Sequence, residues 1–188
     1  MRILLAIISI LCLSSCVSSL WTGAGLIYDR HSVYIKVNDF QLAANASRAL
    51  FHDKMFKRKD CSIELAVFNR DVLMVGRVPT AELRQEAYNR IQAVPGKRRF
   101  FNQLEISRGL ENPIQDGLIT TQIRSQILAD ADIDPHAFKV VTSEQIVYLM
   151  GDVLTDQAKK VIHFARTCPG TKRVVTLFKY YNLTDKLT

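Results

Sequence analysis

Three landmarks recur in this 188-residue chain, in the same order and about 75 positions apart. Val72-Leu73-Met74-Val75-Gly76-Arg77-Val78 returns as Val147-Tyr148-Leu149-Met150-Gly151-Asp152-Val153. Val94-Pro95-Gly96, with the basic run Lys97-Arg98-Arg99, returns as Cys168-Pro169-Gly170 with Thr171-Lys172-Arg173. Upstream, Leu42, Ala46 and Leu50 return as Ile119, Ile123 and Ile127. One apolar strand ending in glycine recurs by chance in many chains. An ordered set of three, with small length changes between them, indicates duplication. The length suits one medium domain or two small ones, and duplication selects two of like fold.

Each repeat reads αββαβ, an α+β class fold. Leu42/Ala46/Leu50 and Ile119/Ile123/Ile127 fall at i, i+4, i+8 on one helix face. Two strands follow around a short polar turn, Asn69-Arg70-Asp71 in the first repeat and Ser143-Glu144-Gln145 in the second. Thr80 and Thr155 are expected N-caps of a second helix, with Leu83/Ala87/Ile91 and Ala158/Ile162/Ala165 facing inward. Pro-Gly ends that helix, and a last strand runs over about 100–106 or 174–181. Gly76 and Gly151 stand where the second strand leaves the sheet, a place for close backbone approach or positive φ.

These residues resemble the BON domain: the αββαβ order, the strand-end glycines Gly76 and Gly151, the later Pro-Gly and the basic pair. The second repeat is the nearer match, through Ile119-Thr120-Thr121, Arg124-Ser125-Gln126, Leu149-Met150-Gly151 and Lys172-Arg173-Val174. The expected layout is a signal peptide at 1–15, a lipidated tether at 16–37, and BON domains at 38–108 and 116–182. A linker at 109–115 and a tail at 183–188 complete it. The resemblance is to dual-BON outer-membrane lipoproteins. It implies a periplasm-facing, non-enzymatic protein that binds anionic phospholipid, supports envelope integrity and gathers at division sites.

The N-terminus agrees. After Arg2 comes an uncharged apolar run, Ile3 to Leu13, then Ser14-Ser15-Cys16. A charged start, a short apolar core and small residues mark a secretory signal, and the run is about half of what spans a bilayer. Leu13-Ser14-Ser15-Cys16 resembles the bacterial lipobox, whose cysteine becomes the first mature residue. The covalent groups implied on Cys16 are a diacylglycerol and an acyl chain such as palmitate, with no other cofactor. Cys12 is the competing site, but bulky Leu11 precedes it. Val17 is not the aspartate that retains many lipoproteins at the inner membrane. Trp21 either rests at the bilayer interface beside the anchor or docks on a domain.

Formal charge is +7. An exported basic chain does not meet nucleic acid routinely, so anionic lipid is the better acidic partner. Export permits a disulfide, but Cys61 and Cys168 are read as buried thiols. No nucleophile elbow, phosphate loop, His-Glu-x-x-His or Cys-x-x-Cys occurs. Asp130, Asp132 and Asp134 lack the glycine and closing glutamate of a calcium loop and read as a polar helix end before Pro135. His31, His52, His136 and His163 have no metal-ligand spacing. Lys54, Lys57, Arg58 and Lys59, and Lys159 with Lys160, read as solvated charge.

The candidate lipid face lies on the first helix of the second repeat. Leu118, Thr121, Ser125 and Leu128 form a stripe pointing largely away from the isoleucines. One apolar stripe is sufficient for a core helix, so the second needs a partner. Arg124 lies at its edge, and Gly117 and Thr120 lie near the helix N-terminus, where free N–H groups favour anions. The residues alone fit two partners equally: membrane, or protein such as an envelope-assembly or division factor. The resemblance favours lipid, although Leu118 stands where a tryptophan is expected from better-known members. The matching positions in the first repeat, Gln41, Ala44, Arg48 and Phe51, read as more polar, which makes that repeat a spacer or stabiliser.

Overall fold

The central strand of each repeat is apolar along nearly its whole length, which requires burial on both faces. The computed structural model describes residues 30–107 and 112–181 and meets that requirement. In the first repeat, α1 (Arg30–Phe51) precedes β1 (Ser62–Phe68), β2 (Asp71–Val78), α2 (Ala81–Gln92) and β3 (Arg99–Ile106). In the second, α3 (Pro113–Ala129) and a short 3-10 turn (Pro135–Ala137) precede β4 (Phe138–Ser143), β5 (Ile146–Val153), α4 (Thr155–Thr167) and β6 (Arg173–Tyr180). Each repeat makes one three-stranded sheet with β2 or β5 in the middle. Its hairpin partner runs antiparallel and its last strand parallel.

One face of each sheet packs on its own helices. Leu42, Ala46 and Leu50 join Ala87, Ile91, Val72, Met74 and Val78 in the first core. Ile119, Ile123 and Ile127 join Ala158, Val161, Val147, Leu149 and Val153 in the second. The other face of each sheet packs on the other sheet. Ala66, Leu73 and Val75 meet Val141, Ile146, Tyr148, Met150 and Leu177 in a third core between the repeats. The layers therefore run helices, sheet, sheet, helices. Every buried core residue among those described lies between Leu42 and Phe178, so a fragment of residues 30–188 keeps all three cores.

Both hairpins turn on two left-handed residues, Asn69 (φ 48) with Arg70 (φ 63), and Glu144 (φ 55) with Gln145 (φ 65). Two such residues match the right-handed twist of the strands, but outside glycine they are strained. An aspartate of the preceding helix compensates in each repeat. Asp39 accepts hydrogen bonds from the Asn69 and Arg70 N–H groups, each at 2.7 Å. Asp116 does the same for Glu144 and Gln145 at 2.9 and 2.8 Å. Asp71 and Ser143, read as turn residues, belong to strands.

The two repeats touch reciprocally. Arg77 donates to Glu144, and at the equivalent positions Asn69 Nδ2 donates to Asp152 Oδ2 at 3.3 Å. This exchange is the pattern of an isologous two-fold contact. Arg98 lies across the contact. Its Nε and Nη2 reach Asp71 at 2.8 and 2.7 Å, and its Nη1 and Nη2 reach Asp152 at 2.9 and 2.7 Å. Arg99 adds a second guanidinium to Asp71 and donates to the Leu177 and Phe178 carbonyls of β6 at 3.1 and 3.3 Å. Burial pushes the Asp71 carboxyl up, but the hydrogen bonds from Arg98 and Arg99 outweigh it and hold the group below the usual carboxylate range.

Several boundaries differ from the expectation. α1 starts at Arg30, so residues 30–37 are helix rather than flexible tether. α3 starts at Pro113, inside the stretch read as linker, because Asn112 caps it and Pro113 suits its first turn. Thr80 caps α2 through a bond from the Leu83 N–H. Thr155 does not cap α4; Leu154 precedes the helix without a side-chain bond, and Thr155 is its first residue. The signal peptide, Cys16, Trp21 and the tail lie outside the described residues. Gly76 has φ +113, and a Cβ there would overlap the Ser62 carbonyl oxygen. Gly151 has no positive φ; a Cβ there would overlap the Ala137 carbonyl oxygen.

Two outcomes test this account. Gly151→Val should lower the unfolding free energy by about 3 kcal/mol through overpacking, measured by denaturant titration, whereas Gly117→Ala, with open space around it, should raise it by about 0.5–1 kcal/mol. Because the Asp71 carboxyl is held low, its stabilisation is complete above the unfolded-chain value near about 4 and drains as pH falls through the lower folded value. Asp71→Asn should cost about 3 kcal/mol at pH 7 and remove that part of the acid sensitivity. Parallel acid sensitivity of the variant and the parent would contradict the assignment.

Candidate functional site

α3 needs only one apolar stripe for its core, and Ile119, Ile123 and Ile127 supply it, all buried. Its opposite face is apolar as well. Leu118 is 67% exposed and Leu128 is 71% exposed. Gly117, Thr121, Arg124 and Ser125 are exposed with them, so the six residues proposed from sequence share one open side of one helix. The Ser125 hydroxyl donates to the Thr121 carbonyl at 2.9 Å, which turns a polar group back onto the helix and leaves the stripe smoother. Arg124 forms no hydrogen bond or ion pair among the described residues.

Sequence reasoning missed Ile114. It lies one turn before Leu118 on the same stripe and is 76% exposed. Its signal was present as i, i+4 spacing, but reading Asn112-Pro113 as linker rather than as cap and first helical residue hid it. Among the described residues no helix is long and apolar enough to cross a membrane.

The first repeat was read as more polar on the matching face, and the structure corrects this. Val37 and Phe40 on α1 are 47% and 76% exposed. Gln41 and Arg48 are exposed beside them, Ala44 is half-buried, and Phe51 packs partly on the core. Val37 and Phe40, at i, i+3, share that side with Gln41 and Arg48 and make it partly apolar.

Three of the six basic candidates pair with carboxylates among the described residues. Arg58 grips Asp60 through two bonds of 2.9 and 2.7 Å. Lys159 pairs with Asp156 at 3.1 Å. Lys160 bridges Asp130 and Asp132, and its hydrogen bond holds the Asp130 carboxyl below the usual range. The aspartate string thus ends α3 and anchors α4. Cys61 and Cys168 are free thiols, half-buried and buried, and burial pushes both up, away from reactive thiolate.

Beside the stripe lies a cleft of about 450 Å³ between the repeats. α3 contributes Gly117, Thr121 and Arg124, β4 contributes Lys139 to Ser143, and β1 of the first repeat contributes Ser62, Ile63 and Glu64.

The family model described as BON domain matches residues 38–108 and 115–181. Outer membrane lipoprotein DolP of Haemophilus influenzae is 25% identical over 174 residues, which cover 89% of this chain and 90% of that protein. The 21 kDa hemolysin of Actinobacillus pleuropneumoniae is 27% identical over 154 residues, covering 81% and 79%. Among solved structures, CdsD, a structural protein of the type III secretion system of Chlamydia trachomatis, aligns over 78% of this chain and 95% of its own at 6% identity. Its TM-score of 0.33 carries no inference.

Exposure of the stripe makes a direct prediction. Leu118→Glu should leave the thermal midpoint within about 2 °C of the parent, as surface changes cost within about 0.5 kcal/mol. Ile123→Glu, on the buried side of the same helix, should abolish cooperative unfolding. Equal damage from both would show that Leu118 is covered.

Proposed function

The chain belongs to the BON-domain family, with two copies of the domain in tandem, and from that premise we propose a lipid-anchored, non-enzymatic protein of the outer membrane, facing the periplasm, that binds anionic phospholipid through α3. The observation that carries this reading is the open side of α3. Ile114, Leu118 and Leu128 stand in solvent on a helix whose other side already serves the core, with Arg124, unpaired among the described residues, at their edge. An exposed apolar patch beside a free cation complements a bilayer whose head groups are negative.

Burying three such side chains contributes on the order of 2 kcal/mol each. That equals roughly seven or eight methylene groups of an acyl chain at about 0.8 kcal/mol each. The chains proposed on Cys16 therefore supply the standing affinity, and α3 adds selectivity among lipids. The outer-membrane assignment draws on the lipobox-like Leu13-Ser14-Ser15-Cys16 and on a relative that bears the name of an outer membrane lipoprotein. Support of envelope integrity and gathering at division sites follow from the family resemblance.

Sedimentation of residues 30–188 with neutral or anionic liposomes tests the reading. Binding to anionic vesicles alone is expected, with at least about a tenfold loss in Leu118→Glu and in Arg124→Glu. A folded fragment that ignores both vesicle types would leave the acyl chains as the membrane contact and assign the stripe to a protein partner, such as an envelope-assembly or division factor.

A further inference from the structure

We infer that the outer edge of β3 receives an extended segment of a partner protein, which adds as a fourth strand and lays an acidic side chain against Arg84. The site belongs to the first domain, whereas the α3 stripe belongs to the second, and it stands independently of lipid binding.

The backbone supplies the first argument. β3 lies at the edge of its sheet. The Ser107 N–H donates to the Val78 carbonyl at 3.0 Å, and successive residues of a strand turn their backbone groups to alternate sides. The odd-numbered residues of β3 therefore bond to β2. Phe100, Asn102, Leu104 and Ile106 direct their N–H and C=O groups outward. Within that row Asn102 Oδ1 accepts from the Leu104 N–H at 3.1 Å. A single side-chain cap of this kind keeps an open edge from pairing at random. The other edges differ. β1 and β4 border the cleft between the domains, and Arg99 donates to the Phe178 carbonyl of β6 at 3.3 Å.

A groove of about 350 Å³ lies beside the β3 edge. α2 lines it with Ala81, Arg84, Gln85 and Tyr88, and β3 lines it with Asn102 and Ile106. Tyr88 and Ile106 are 37% and 50% exposed. Tyr88 is held in place by stacking on Phe100, with ring centroids 5.5 Å apart. The Arg84 guanidinium forms no hydrogen bond or ion pair among the described residues, and no carboxylate lines the groove. The second repeat shows the contrast. At the equivalent positions Asp156 replaces Ala81 and Lys159 replaces Arg84, and those two pair at 3.1 Å. Alanine in the place of that aspartate leaves the cation of the first domain uncommitted.

These features define the occupant. A row of outward N–H and C=O groups is matched by another polypeptide backbone, and main-chain bonds of this kind supply affinity while side-chain pockets supply specificity. Every second side chain of an added strand faces the groove. Apolar surface from Tyr88 and Ile106 beside an uncommitted guanidinium therefore selects apolar and acidic residues at alternate positions.

The test uses labelled fragment 30–188 and an acetylated, amidated heptapeptide. The peptide has leucine at its second and sixth positions, aspartate at its fourth and threonine elsewhere. It should shift the amide resonances of 102, 104 and 106 and slow their hydrogen exchange. Arg84→Glu should weaken binding by at least about fivefold with the thermal midpoint unchanged. Lysine in place of the peptide's aspartate should weaken binding to the parent and restore binding to Arg84→Glu. Methylating one alternate set of peptide amides should abolish binding, and methylating the other set should not, since a strand uses one side of its backbone per neighbour. No shifts along β3, equal tolerance of both methylations, or undiminished binding by Arg84→Glu would each overturn the inference. So would binding seen in fragment 30–181, which keeps the same cores, but not in 30–188, because residues 182–188 would then be the occupant.

Discussion

One guanidinium group, that of Arg98, holds a carboxylate of its own domain and one of the other domain in the same plane of hydrogen bonds. Asp71 opens β2 and Asp152 lies near the end of β5, so this single side chain aligns the central strands of both sheets. The apolar contact beneath it supplies most of the energy. Eight buried side chains between the sheets contribute on the order of 2 kcal/mol each for the larger ones. Ion pairs at a partly exposed rim return much of their Coulomb gain as desolvation. They are better suited to orientation. An apolar face can slide, whereas a fork of five donors between two carboxylates has one geometry.

That orientation creates the surface proposed for binding. The sheets pack through their outer faces, so the helices are turned outward and α3 keeps a free side. The same packing brings the β1 and β4 edges together and forms the cleft beside that side. Neither repeat alone would have the cleft. The reciprocal contacts, Arg77 with Glu144 and Asn69 with Asp152, show that duplicated chains kept a two-fold interface while its chemistry diverged. A carboxylate–guanidinium pair stands on one side of the axis, and an amide–carboxylate pair stands on the other.

Divergence is greatest where the fold imposes least. The hairpin device is retained in both repeats, since two strained non-glycine residues need their N–H groups held by Asp39 or Asp116. The outward faces of α1 and α3 answer to no such demand. α3 presents Ile114, Leu118 and Leu128, while α1 presents Val37 and Phe40 amid Gln41 and Arg48. Gly76 and Gly151 illustrate the same point on a smaller scale. Both leave room for a neighbouring carbonyl, but only Gly76 also adopts positive φ.

Periodicity alone determined the αββαβ order, the inward residues of three helices and the exposed stripe around Leu118 and Leu128, because these depend on spacing within one element; on α4 it pointed to Ile162, whereas Val161 is the residue fully buried beside Ala158 and Ala165. Ile114 was lost at a helix boundary, where one cap residue, Asn112, decides whether the next turn exists. Thr155 misled for the same reason: a hydroxyl near a helix start caps it only if the chain enters at the right angle. The roles of Asp39, Asp116 and Arg98 were beyond reach. Each depends on a partner 27 to 54 positions away. Tertiary structure decided these, since the distance between charges in space, rather than along the chain, sets which ones neutralise one another and which remain free to meet a ligand.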